Sequence, residues 1–246
     1  MTPEKTSSRP RGIYLLPNLF TTGALFSGFY AIISAVNGRY ETAVIAIFIA
    51  MILDGLDGRV ARLTNTQSEF GAQYDSLSDM VAFGVAPALV MYLWAFASLG
   101  RLGLFAALVH TAGGALRLAR FNTQIESADK RYFQGLPSPA AAAIIAGFIW
   151  ISLEHGYDID MIKYLGIILT ITTGLLMVSN FRYSSFKQID LKGKVPFVVA
   201  ISVMLAIGFV MAQPQTMLFL LFLCYAVSGP VITLIQRKRI LQERKG

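Results

Sequence analysis

Eight stretches of this sequence are long and apolar enough to cross ~30 Å of hydrocarbon as helices, which takes about 20 residues at roughly 1.5 Å each. They run approximately over 13–36, 40–63, 73–99, 102–121, 137–153, 162–180, 195–212 and 216–236. No sustained two-residue alternation marks barrel strands, and backbone N–H and C=O groups in lipid must find partners inside the protein. The expected fold is therefore an all-α, polytopic bundle of about eight transmembrane helices. Of the 246 residues, 55% are hydrophobic and only 14% charged, which excludes a water-soluble single-core domain. The first span is too long for a signal-peptide core and lacks a small-residue cleavage site, so it is expected to be retained.

The positive charges give the orientation. Lys5, Arg9 and Arg11 precede the first span, and Arg59 and Arg62 sit at the second connection. Arg117, Arg120, Lys130 and Arg131 sit at the fourth, and Arg182, Lys187, Lys192 and Lys194 at the sixth. Arg237, Lys238, Arg239, Arg244 and Lys245 follow the last span, so one side carries eighteen cations and the other only Arg39, Arg101 and Lys163. Cations accumulate on the cytoplasmic side, which places both termini there. The same rule accounts for the net charge of +7 as a topology signal with attraction to anionic lipid, and no nucleic-acid partner is expected.

Cysteine is represented by Cys224 alone and histidine by two residues, so a metal in this chain has to be held by oxygen. Four aspartates fall within 26 residues, at the cytoplasmic ends of the second and third spans: Asp54, Asp57, Asp75 and Asp79. Counting from Tyr40, Asp54 lies ~21 Å and Asp57 ~26 Å along its helix, near the interface. Asp54, Asp57, Gly58 and Ala61 share one helix face, while Gly71, Asp75 and Asp79, spaced by four, share another. Four carboxylates on adjacent helices repel strongly unless cations stand between them, and hard divalent ions take oxygen ligands of this kind. A divalent-metal site with two ions follows. Gly58, Ala61 and Gly71 remove bulk beside the carboxylates, leaving room for a phosphate, and Arg62 is placed to clamp it.

These positions resemble the CDP-alcohol phosphotransferase signature DxxDGxxAR(x8)GxxxDxxxD at all eight defined sites: Asp54, Asp57, Gly58, Ala61, Arg62, Gly71, Asp75 and Asp79. With each residue type near 7%, chance agreement at a given start is roughly 10⁻⁹. The segment Leu16-Pro17-Asn18-Leu19-Phe20-Thr21-Thr22-Gly23 and the run from Arg120 through Asn122 accompany it. The stretch Phe133 to Ala142 is similar to the FxGLPSPAAA stretch of that family's membrane-embedded bacterial and archaeal phosphatidylserine synthases. The resemblance implies transfer of the phosphatidyl group of CDP-diacylglycerol to the hydroxyl of L-serine, releasing CMP. It implies Asp54, Asp57 and Asp75 as ligands of two Mg²⁺ or Mn²⁺ ions, with Asp79 as general base beside a metal. It further implies Gly58, Ala61 and Gly71 lining a cytidine diphosphate pocket, a homodimer, and a catalytic core over about 13–180 followed by two further helices over about 195–236 within one membrane domain. The active site then faces the cytoplasm.

Other positions keep two readings. Asn18 and Thr21 are polar residues in the first span, fit either for nucleotide contact or for helix–helix hydrogen bonds. Arg117 and Arg120 share a helix face on the cytoplasmic side, as a fork for the serine carboxylate or as interfacial anchors. Ser138 is a helix cap or a headgroup contact. His110 reads as a helix–helix hydrogen-bonding residue, and Pro87 as a kink in the third span. Three rival functions are weaker. A relative using glycerol 3-phosphate or inositol phosphate lacks the support of the Phe-x-Gly-Leu-Pro-Ser-Pro run, which argues for serine as acceptor and leaves an archaeal CDP-lipid open as donor. A membrane prenyltransferase needs two distant aspartate-rich motifs. An ion-coupled transporter needs a midplane site between repeated halves.

Overall fold

The computed structural model describes residues 15–123, 132–184, 208 and 212–243. Among them the chain forms seven helices and one two-stranded ribbon. The helices are α1 (Leu15–Val36), α2 (Tyr40–Thr64), α3 (Glu69–Leu99), α4 (Arg101–Thr123), α5 (Ser138–Glu154), α6 (Ile159–Val178) and α7 (Pro214–Glu243). Five of these, α1, α3, α4, α6 and α7, are long and apolar enough to cross a membrane. The 25-residue α2 is as long, but its C-terminal third carries Asp54, Asp57, Arg59 and Arg62, and the apolar α5 has 17 residues. The expected span over 195–212 lies, apart from residues 208 and 212, outside the described residues. So do the cations Lys5, Arg9, Arg11, Lys130, Arg131, Lys187, Lys192, Lys194, Arg244 and Lys245.

The burial pattern is that of a bundle in an apolar medium. Large side chains such as Leu19, Phe26, Phe29, Leu104, Leu108, Ile168 and Leu175 point outward. The interior is rich in small ones, including Ala31, Ala43, Ala50, Ala82, Ala86, Ala106 and Ala142. Small residues let helix backbones approach, which is how helices gain dispersion energy where lipid competes for apolar surface. At the centre stands α5, with Ala140 through Ile145 all buried, packed against α2, α3, α6 and α7. Its neighbours cover it on nearly all sides.

The elements beside the aspartates are sharply bounded. Helix α2 ends at Asn65, which adopts a left-handed conformation (φ 51°) and returns its N–H to Ala61 and Arg62 carbonyls. Three residues later the Ser68 side chain caps α3 by accepting the Gly71 N–H at 3.0 Å. The two acidic helix ends therefore lie side by side, joined by a tight loop. Helix α3 begins at Glu69, one turn before the apolar stretch expected at 73. It is α-helical to Asp79, makes a π turn over Met80–Val85, and resumes before Pro87. The kink expected at Pro87 is thus taken up by a widened turn directly after Asp79, with the Ala86 N–H reaching back to the Val81 carbonyl.

On the side of the aspartates, β1 (Tyr132–Gln134) pairs antiparallel with β2 (Arg182–Ser184), Phe133 opposite Tyr183. Gly135 follows β1 with φ +76°, and a Cβ there would lie 2.2 Å from the Met177 carbonyl oxygen, so no other residue fits. Its N–H bonds the Phe181 carbonyl at 2.9 Å and that of Leu136 the Leu176 carbonyl at 2.9 Å, seating the start of α5 against the end of α6. The Tyr183 hydroxyl donates to the Ala226 carbonyl at 3.0 Å and its ring fills the space beside Gly229, which ties α7 to the ribbon.

Candidate active site

Helices α2 and α3 bring three carboxylates together. One oxygen from each of Asp54, Asp57 and Asp75 lies within 4.8 Å of the others. Asp57 is buried, 5% exposed, and its Oδ2 accepts the Thr21 hydroxyl at 2.7 Å. Ser78 in turn donates to the Thr21 carbonyl at 3.0 Å, so α1, α2 and α3 are bound together through Thr21. Asp75 Oδ1 is buried and has no hydrogen-bond partner among the described residues. A buried carboxylate oxygen without a donor, facing two more carboxylates, is a costly arrangement for the protein alone. It suits a hard divalent cation, whose ligands are oxygens of this kind.

Asp79 lies one turn beyond Asp75 and outside the three-carboxylate group; it interacts electrostatically with Asp54 and Asp75 on one side and with Arg117 on the other. Packing does not explain Gly58, whereas Gly71 has one tight neighbour. At Gly58 an added Cβ would meet only the tip of Arg62, at 3.5 Å, and at Gly71 it would approach the Ser68 hydroxyl at 3.1 Å and Asn18 Oδ1 at 3.6 Å. Gly58, half-buried Ala61 and exposed Arg62 thus leave an open flank along α2, and Asn18 faces Gly71 across from it. Of the two polar positions in α1, Thr21 is committed to Asp57 and Asn18 stands at the edge of the opening.

The two arginines of α4 separate. Arg117 Nη1 donates to the buried Ser138 hydroxyl at 2.9 Å, its Nε is buried without a partner, and its charge faces Asp79 and Asp54. Arg120 turns to the rim, its Nη1 3.4 Å from the Ser179 carbonyl and 3.3 Å from Asn180 Oδ1. Sequence reasoning placed them on one face, and only the neighbouring α5 and α6 distinguish them. It quoted Asn122 in the Arg120–Asn122 run without a role; the Asn122 side chain takes the Ser76 hydroxyl at 3.1 Å and gives its N–H to Gln73 at 3.3 Å, clasping α4 to α3 beside Asp75. His110 is fully buried and bonds between helices, at 3.1 Å to both Thr173 and the Phe83 carbonyl.

A family model, CDP-alcohol phosphatidyltransferase, matches residues 14–178 and with them every aspartate and arginine just described. The chain belongs to this family. Among curated relatives of this CDP-alcohol phosphatidyltransferase, a protein of Helicobacter pylori (strain ATCC 700392 / 26695) is 37% identical over 216 residues, covering 87% of this chain and 90% of its own. One from Methanocaldococcus jannaschii is 40% identical over 186 residues, 74% of this chain and 80% of its own. One from Bacillus subtilis (strain 168) is 36% identical over 175 residues, 70% and 92%. All three are named CDP-diacylglycerol–serine O-phosphatidyltransferase. The family match ends at 178, so β2 and α7 lie beyond it.

Proposed function

We propose that this CDP-alcohol phosphatidyltransferase is a phosphatidylserine synthase, transferring the phosphatidyl group of CDP-diacylglycerol to the hydroxyl of L-serine with release of CMP. The observation that carries the reading is the conjunction of the oxygen-only acidic cluster with bacterial and archaeal relatives that share one acceptor in their names. In this reading the chain has eight spans, the seven described helices and one over 195–212, with both termini and the active site on the cytoplasmic side of the cell membrane. It works as a homodimer, and its catalytic core covers about 13–180.

Asp54, Asp57 and Asp75 hold two Mg²⁺ or Mn²⁺ ions, with Asp79 beside them. When bound, such ions neutralise the diphosphate and stabilise the departing CMP. Gly58, Ala61 and Gly71 leave the donor's path clear, Arg62 takes a phosphate oxygen, and Asn18 meets the nucleotide. Thr21 orients Asp57. On the opposite side Arg117 and Ser138 receive the serine headgroup, its carboxylate on the guanidinium fork. A serine hydroxyl is a weak nucleophile, so Asp79 accepts its proton as the new O–P bond forms and the bond from phosphorus to the CMP oxygen breaks. The proton resides on Asp79 until solvent removes it.

The test is CMP release by purified, detergent-solubilised protein given CDP-diacylglycerol and Mn²⁺, with L-serine against glycerol 3-phosphate and inositol phosphate. Release that depends on L-serine, is abolished by EDTA and is restored by Mg²⁺ or Mn²⁺ is expected. Release with another alcohol overturns the acceptor, and undiminished release in chelator overturns the metal site.

A further inference from the structure

Beneath the aspartates, three helices meet almost backbone to backbone. A Cβ on Gly113 of α4 would lie 2.4 Å from the Gly174 carbonyl oxygen of α6, and one on Gly114 would lie 3.3 Å from the Cα of Gly84 in α3. Gly84 belongs to the π turn that follows Asp79. Pro87 has no N–H to give the Phe83 carbonyl four residues back, which leaves room there for a donor from another helix. His110 supplies it: Nε2 lies 3.1 Å from the Phe83 oxygen, and Thr111 Oγ1 donates to the next carbonyl, Gly84, at 3.3 Å. A carbonyl only accepts, so the proton sits on Nε2; Nδ1 lies 3.1 Å from the Thr173 hydroxyl of α6, whose single proton the Thr170 carbonyl also draws at 3.0 Å.

The site joins this node through two helix faces. Arg117 is two turns from His110 along α4 and on the same face, ~10 Å toward the aspartates; Asp79 is one turn from Phe83 along α3, ~6 Å in the same direction. His110 and Phe83 form a hydrogen-bonded rung between α3 and α4, and Arg117 and Asp79, nearer the aspartates on the same two helices, interact through their charges. The Asn122 bonds to Gln73 and Ser76 hold the far end, where water competes for the same groups. The fully buried rung at His110 has no such competitor.

We propose that His110 is a positioning residue: its hydrogen bond to Phe83 sets the register of α4 against α3, and with it the place of Arg117 relative to Asp79. This rests on the reading of Arg117 as the acceptor-binding residue. The donor-side residues Asn18, Asp54, Asp57, Gly58 and Gly71 lie on α1, α2 and the start of α3, which are held through Thr21 and, from the far end of α4, by Asn122; none of these bonds runs through His110. Loss of His110 therefore separates the two substrates. In His110→Leu the KM for L-serine rises at least about tenfold, the loss of one buried hydrogen bond, while that for CDP-diacylglycerol stays within about twofold. His110→Gln, whose amide N–H stands near the place of Nε2, brings the serine KM back to within about threefold of wild type. If His110→Leu does not fold, Thr173→Val, which frees the ring, gives a smaller rise with the same split. Equal rises in both KM values, wild-type kinetics in the leucine variant, or a glutamine variant no better than leucine overturns the proposal. Wild-type enzyme is measured in parallel. If it turns over with another alcohol and not with serine, the serine reading has failed, and the same split measured with that alcohol still decides the role of His110.

Discussion

Valine in place of Thr21 keeps the outline of a buried side chain and removes one O–H. That hydroxyl has a single proton and two acceptors, Asp57 Oδ2 at 2.7 Å and the Pro17 carbonyl at 3.2 Å, and the shorter bond to the carboxylate takes it. A hydrogen bond to a charged group is worth about 1.5–3 kcal/mol, or roughly tenfold to 150-fold in an equilibrium constant. Partners that orient a metal ligand generally cost about 10–100-fold in metal affinity when removed. The two ranges overlap, and with Asp57 only 5% exposed water has little room to replace the lost donor. The half-activating Mn²⁺ concentration of Thr21→Val is therefore expected to rise about tenfold to a hundredfold, with Thr21→Ser close to wild type. The assay is CMP release by EDTA-stripped enzyme at saturating substrates as Mn²⁺ is added back. A folded Thr21→Val enzyme with unchanged Mn²⁺ dependence would refute the reasoning, because Asp57 would then need no orienting partner.

Three further outcomes are expected. Asp79→Asn keeps CDP-diacylglycerol binding, measured by equilibrium binding, and loses turnover by about a hundredfold or more; kcat near wild type would remove Asp79 as the base. Arg117→Lys raises the KM for L-serine well beyond the effect of Arg120→Lys, because only Arg117 reaches Ser138 and faces Asp79, and equal effects would return both arginines to an anchoring role. In Gly229→Ala the new Cβ falls 2.3 Å from the Tyr183 ring, an overpacking expected to cost about 1–3 kcal/mol and to lower the thermal midpoint in detergent; Tyr183→Leu in the same chain recovers part of it, and purely additive losses would show that the two do not touch.

The aspartate cluster was legible because helical spacing is local: three, four and seven residues put Asp54, Asp57, Gly58 and Ala61 on one face whatever the rest of the chain does. The five helices long and apolar enough to cross a membrane were legible for a similar reason, since apolar length is a property of a continuous segment. What the sequence concealed depends on packing between distant segments. Thr21 meets Asp57 across two helices, and nothing in α1 distinguishes it from Asn18 until Gly71 and Asp57 are in place. Arg117 and Arg120 diverge for the same reason. Pro87 announced a disturbance in α3, but its form, a π turn satisfied by His110 from another helix, was set by a neighbour. Strands of three residues, as in β1 and β2, are too short to display any alternation.

The ribbon has a consequence for how the chain threads the bilayer. Strand β1 precedes α5 and β2 follows α6, and the two exchange hydrogen bonds between Tyr132–Gln134 and Arg182–Ser184. In the eight-span reading proposed above, both strands lie on one face of the membrane, and α5 and α6 between them go out and come back as a pair. The ribbon is in effect a parity check on insertion: a chain in which α5 fails to cross, or crosses without α6 returning, leaves β1 and β2 on opposite faces. Tyr183 then cannot reach Gly229, and Ser138 stands away from Arg117. In that reading a mis-threaded copy lacks the Tyr183 contact that seats its last helix and the Ser138 partner of Arg117 in the proposed acceptor site.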